Sequence, residues 1–110
     1  MNIQDELAGV YRLRDEAAAQ LWALALPRES QDLRALPRLT DWGAPVRWLS
    51  EVERVYAIAL RGSAYAACVA CRAVIGALMQ LLNDLIREHV PLEDLLRESI
   101  EENEKKRGAA

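Results

Sequence analysis

Apolar residues recur along most of the chain at three- and four-residue steps, the period of an amphipathic helix. Pro and Gly cut that pattern into segments. From Ile3 the positions Leu7, Val10, Tyr11, Ala17, Ala18, Leu21 and Ala25 keep one face apolar until Pro27, which predicts a helix over about 3–26. Residues 27–44 hold Pro27, Pro37 and Gly43 among mixed charges. They read as an ordered connector with a short turn around Asp32–Leu36, pinned to the core by Trp42. Pro45 suits a first helical turn, Val46, Leu49, Val52, Tyr56, Ala59 and Leu60 follow at helical spacing, and Gly62 suits the end, giving a helix over 45–61. Ser63 can cap the next one, over 64–89, with Tyr65, Cys68, Arg72, Ile75, Leu78, Met79, Leu82, Leu85 and Ile86 along one broad stripe. Pro91 opens a last helix, 91–107, whose large apolar residues are Leu92, Leu95, Leu96 and Ile100. It ends in Glu104, Lys105, Lys106 and Arg107, where cations meet the negative end of the helix dipole.

Composition agrees with helices throughout. The chain has 110 residues, 52% of them hydrophobic and 28% charged, with five Gly and four Pro, so the expectation is one all-α domain spanning 1–110. Seventeen acidic against fourteen basic residues leave a net charge of −3, which disfavours nucleic acid and anionic membrane as partners. The N-terminal stretch lacks the basic and apolar regions of a secretory signal, so a cytoplasmic location is expected. Ala64 to Leu82 has Arg72 as its only charge, but a central Arg costs a membrane span roughly 2.5–3.5 kcal/mol and Ala offsets little of it. A buried helix is the expected reading. A helix apolar nearly all round needs more partners than a domain this small can supply, and self-association answers that need. The expected assembly is a homodimer or a dimer of dimers, with Ala66, Ala67, Ala70, Ala73, Gly76 and Ala77 allowing close helix approach.

The run WLSEVERVYAIALRG (48–62) resembles the first signature helix of the MazG-like all-α nucleoside triphosphate pyrophosphohydrolases, and the rhythm of residues 73–107 is similar to that family's second half. The resemblance implies a four-helix MazG-like bundle. In that family E-x-x-E on one helix and E-x-x-D on another hold Mg²⁺ against a triphosphate, because a hard cation prefers oxygen ligands and carboxylates one turn apart can face one ion. Here Glu51 matches the first motif position, Arg54 stands at the second, and Ala73 and Gly76 stand at the positions of the second motif. Glu53 is turned about 200° from Glu51 around the helix and cannot replace it on the same face. The resemblance therefore implies the scaffold without the chemistry, and no cofactor. The alternative is a Mg²⁺-dependent pyrophosphohydrolase whose site is rebuilt from Glu51, Glu53, Asp84 and Glu88.

Other candidate chemistry is sparse. Arg72 inside an apolar helix needs a counter-ion, for which Glu51 or Glu53 is available, or else it binds a phosphate or carboxylate in a pocket. Trp22, Trp42 and Trp48, with Tyr56 and Tyr65, can line such a pocket or pack in the core. The candidate ligand-binding set is thus Glu51, Arg54, Arg72, Trp48, Tyr56 and Tyr65, taking an organic ligand or a protein partner. Cys68 and Cys71 form C-x-x-C without a second pair or a nearby His, so they read as unpaired, buried helix residues rather than zinc ligands. His89, the one histidine, suits a helix end. Asp84 and Glu88, one turn apart, read as a solvated acidic face paired with Arg87 or Arg97.

Overall fold

The computed structural model describes residues 3–40 and 43–88, and every regular element among them is helical: α1 (Ile3–Ala23), α2 (Pro27–Arg34), α3 (Gly43–Arg61) and α4 (Tyr65–Glu88). The predicted helix 91–107, His89 and Trp42 lie outside the described residues. α4 packs on both α1 and α3, and α2 packs mainly on α1. The α1 and α4 axes run antiparallel, since Glu6 hydrogen-bonds Asp84 at one end while Glu16 and Gln20 flank Ala66 and Ala70 towards the other. Val10, Ala17, Ala18 and Leu21 of α1, Trp48, Val52, Val55 and Ala59 of α3, and Cys71, Val74, Leu78 and Leu81 of α4 fill the core between them.

α1 and α3 end in the same way. Leu26 N–H donates to Leu21 O at 2.8 Å and Ala25 N–H to Trp22 O at 3.2 Å, and in the second case Ala64 N–H donates to Ala59 O at 2.8 Å and Ser63 N–H to Leu60 O at 3.1 Å. This double bond pattern is the Schellman motif, which needs a left-handed residue at its turn. Ala25 (φ 61°) and Ser63 (φ 56°) occupy those positions without being glycine. Gly62, expected to terminate the helix, therefore stands one residue before the left-handed turn, and Ser63 shapes that turn rather than capping α4. The first helix likewise stops at Ala23, short of the expected 26, because Leu24 and Ala25 form its turn.

The connector contains more structure than its sequence advertises. Pro27, expected to close one helix, also opens the next, where its missing N–H costs nothing. In PRESQDLR only Ser30 and Leu33 are buried, so the apolar pattern is too thin to mark an eight-residue helix. A polar bond secures it instead: the Ser30 hydroxyl donates to Ala18 O at 2.6 Å. Beyond α2 the chain is pinned by Trp48 Nε1, which donates to Pro37 O at 2.7 Å, and by Leu39 N–H, which donates to the Tyr11 hydroxyl at 2.8 Å.

Candidate interaction surface

α4 buries one stripe: Ala64 just before it, then Ala67, Cys68, Cys71, Val74, Leu78, Leu81 and Asp84. Its steps of three and four residues leave the opposite side of the helix bare. On that side Tyr65 is 66%, Val69 69% and Met79 55% exposed, with Ala66, Arg72, Ala73, Gly76, Gln80, Asn83 and Arg87 exposed among them. A side-chain carbon added at Gly76 would meet nothing within 4 Å. The window Tyr65–Arg87 has a mean hydropathy of 1.7 and is long and apolar enough to cross a membrane, yet 33% of it is buried. Within the single chain, α1 and α3 cover one side of the helix. Tyr65, Arg72 and Met79 belong to the bare side, and the covered stripe is rotated towards Cys71, Val74 and Leu81.

Next to this face, α1 and α4 form a shallow open groove of about 510 Å³ lined by Glu16, Gln20, Ala66, Val69, Ala70 and Ala73. Small residues form its floor and α1 gives it a polar wall. Glu16 and Arg72 are both exposed, and among the described residues neither is ion-paired. Arg72 therefore does not reach Glu51 or Glu53 from within the core; exposure to water removes the desolvation cost that such a partner was expected to offset.

The candidate ligand-binding residues are spread over separate surfaces. On α3, Arg54 donates from Nε to Glu51 Oε1 at 3.1 Å and from Nη2 to Glu51 again and to Asp32 of α2 at 2.9 Å. Those two carboxylates raise the Arg54 pKa, its hydrogen bond to Glu51 contributing most. Trp48 is fully buried, edge-on to Tyr11 with ring centroids 5.6 Å apart. The guanidinium stacked on Trp48 is that of Arg14, 5.1 Å from the ring centroid. Tyr56 is half-buried on α3, Tyr65 points outward from α4, and Trp22 is 61% exposed at the end of α1. Among the described residues they lie on separate surfaces of α1, α3 and α4. Sequence reasoning missed Arg14; its step of three from Tyr11 was the available signal.

Nor does the fold gather the alternative metal ligands. Glu51 is engaged with Arg54, Glu53 is exposed, and the side chain of Glu88 is outside the described residues. Asp84 is buried, which corrects the expected solvated acidic face. Its carboxylate shares a hydrogen bond with Glu6 and accepts, at 3.2 Å to each oxygen, from Gln80 Nε2. These bonds, the one with Glu6 first, hold its pKa below the ordinary value of 3.8. Ala73 and Gly76 face outward on α4 rather than towards Glu51. Among the described residues no three His, Cys, Asp or Glu side chains are grouped to hold a metal ion. Cys68 and Cys71 are buried free thiols, and burial, helped by Cys68, pushes the Cys71 pKa up to about 11. No family model, curated protein or solved structure matches the chain.

Proposed function

We propose that this protein is a non-catalytic helical module that works by self-association through the bare face of α4, on a MazG-like scaffold that lacks the family's metal chemistry. The observation that carries this reading is the combination of an apolar 1.7-hydropathy helix window with only 33% burial. Exposed apolar area of that kind marks an interaction site, and the small residues Ala66, Ala73 and Gly76 let a second helix approach closely. The face is also self-complementary in charge. Each protomer offers a Glu16 in the groove and an Arg72 exposed on α4, neither ion-paired among the described residues. A two-fold axis would bring each Arg72 to the partner's Glu16, as isologous interfaces do. The Mg²⁺-dependent hydrolase draws no support from the placement of Glu51, Glu53 and Asp84.

The test is light scattering at micromolar concentration, on the wild type and on charge variants. At least a dimer is expected. Arg72→Glu and Glu16→Arg should each weaken assembly, and the double variant should restore it, because both positions are exposed and the fold does not depend on them. A natively helical monomer would overturn the reading. So would a monomer that binds zwitterionic lipid vesicles, which would assign the face to a membrane.

A further inference from the structure

On another side of α1, Arg14, Arg34 and Arg38 meet around a cleft of about 320 Å³ whose remaining lining is Tyr11 and Leu36. We propose that this cleft binds a small organic molecule through an oxyanion head, a phosphoryl or a carboxylate group. Three guanidiniums share one small concavity in a chain of net charge −3; Asp15 offsets only Arg14, and the remaining like charges repel one another. An anion between them removes that repulsion and takes the planar N–H forks for which Arg is suited.

Arg14 and Tyr11 are held in place before any ligand arrives. Arg14 has a side chain only 15% exposed, and its planar head lies over Trp48 and, at 5.8 Å, over Tyr11. Its Nε donates to Asp15 at 2.8 Å and its Nη1 to Leu33 O at 3.2 Å. A guanidinium has five N–H groups, so Nη2 and the second Nη1 hydrogen stay available. The Tyr11 hydroxyl accepts from Leu39 N–H, which leaves its own hydrogen to donate. Leu36 and Arg38 are carried on the stretch that Trp48 fixes through Pro37 O and Tyr11 fixes through Leu39. Arg34 and Arg38 are exposed, and neither is paired with a carboxylate among the described residues. Among the described residues, Asp15, on the Nε edge of Arg14, is the one acid ion-paired with the group. The acidic balance of the whole chain and the size of the cleft favour a compact ligand over a nucleic-acid strand. Tyr11 and Leu36 offer a short apolar wall for the organic part.

Phenyl phosphate and benzoate, titrated by calorimetry into the full chain at constant ionic strength, test the proposal. Saturable binding of at least one probe, one per chain, is expected. Arg34→Gln and Arg38→Gln should each weaken it by about tenfold or more, since each removes one charge-assisted bond. Both side chains are exposed, so helicity and the unfolding midpoint should stay as in the wild type. Tighter phenyl phosphate assigns a phosphoryl head and tighter benzoate a carboxylate. Absence of saturable binding by both probes would overturn the proposal, as would binding that neither substitution weakens.

Discussion

Replacing Ala25 or Ser63 by glycine should stabilise the fold, against the usual penalty for placing glycine near a helix. Both residues sit in the left-handed region, at φ 61° and 56°. There the Cβ of an L-residue crowds the following carbonyl oxygen, at a cost of about 1–2 kcal/mol. Glycine removes that cost but gives the unfolded chain more freedom, worth about 0.5–1 kcal/mol in the other direction. The difference is a gain of about 0.5–1 kcal/mol at each site. The two turns lie at the ends of different helices and share no hydrogen bond, so Ala25→Gly and Ser63→Gly should add, to about 1–2 kcal/mol together. Urea unfolding at fixed protein concentration measures this as a higher midpoint with an unchanged slope. Gly62→Ala is the control. A Cβ there would lie 3.6 Å from Ile58 O and 3.9 Å from Ala59 O, ordinary contacts, at a φ that is not left-handed. A large loss for Gly62→Ala together with no gain for Ser63→Gly would refute the reasoning and put the turn one residue earlier.

Asp84 should set part of the acid limb of stability. Its folded pKa lies below the ordinary 3.8, so its stabilising contribution is complete above that value and is lost as pH falls through the lower folded value; Asp84→Asn should flatten thermal stability against pH in that window, and an unchanged acid limb would count against the Glu6 and Gln80 bonds. Cys68 and Cys71 should resist iodoacetamide at pH 8 in the folded protein and react in urea, since burial and a pKa of about 11 keep the Cys71 thiol protonated; stoichiometric labelling of native protein would show them accessible. Leu78→Asp should unfold the protomer, by more than about 4 kcal/mol, because Leu78 is fully buried within the single chain; loss of the circular dichroism signal is expected, and a folded monomer would move Leu78 to the interface.

Helices with a continuous apolar stripe were legible in the sequence because burial leaves a period behind it. Val10, Leu21, Val52 and Leu78 are all expected core positions and all fully or almost fully buried. α2 escaped because its single buried apolar residue, Leu33, makes no period and its anchor is the Ser30 hydroxyl. The turns at Ala25 and Ser63 escaped because their φ angles are imposed by the hydrogen bonds of the motif, against the preference of the residues that occupy them. On α4 the difficulty is of another kind. Tyr65, Val69 and Met79 add apolar residues outside the covered stripe and blur which side is inside, so Arg72 looked internal until α1 and α3 defined it. The Arg14 cleft needed tertiary structure outright: Tyr11 and Arg14 are on α1, Arg34 ends α2, and Leu36 and Arg38 follow it.

The two proposed surfaces share α1, which makes their independence a testable matter. Arg14 and Glu16 are two residues apart, and a two-residue step turns about 200° around a helix, so one faces the cleft and the other the groove beside α4. Communication between them requires α1 to have two arrangements that both sites bias differently. The packing opposes a second arrangement: Ala17, Ala18 and Leu21 are fully buried between the two sites' elements, and Ser30 ties α2 to Ala18 O at 2.6 Å. Binding in the cleft should therefore leave the dimer constant unchanged. Sedimentation of the wild type with and without saturating phenyl phosphate measures this, and because linkage is reciprocal, Arg72→Glu should leave phenyl phosphate affinity as it is. A dimer constant that shifts about tenfold with ligand would show that α1 moves as a rigid lever between the two faces, and the fixed α1–α2 core drawn from Ser30 would be wrong.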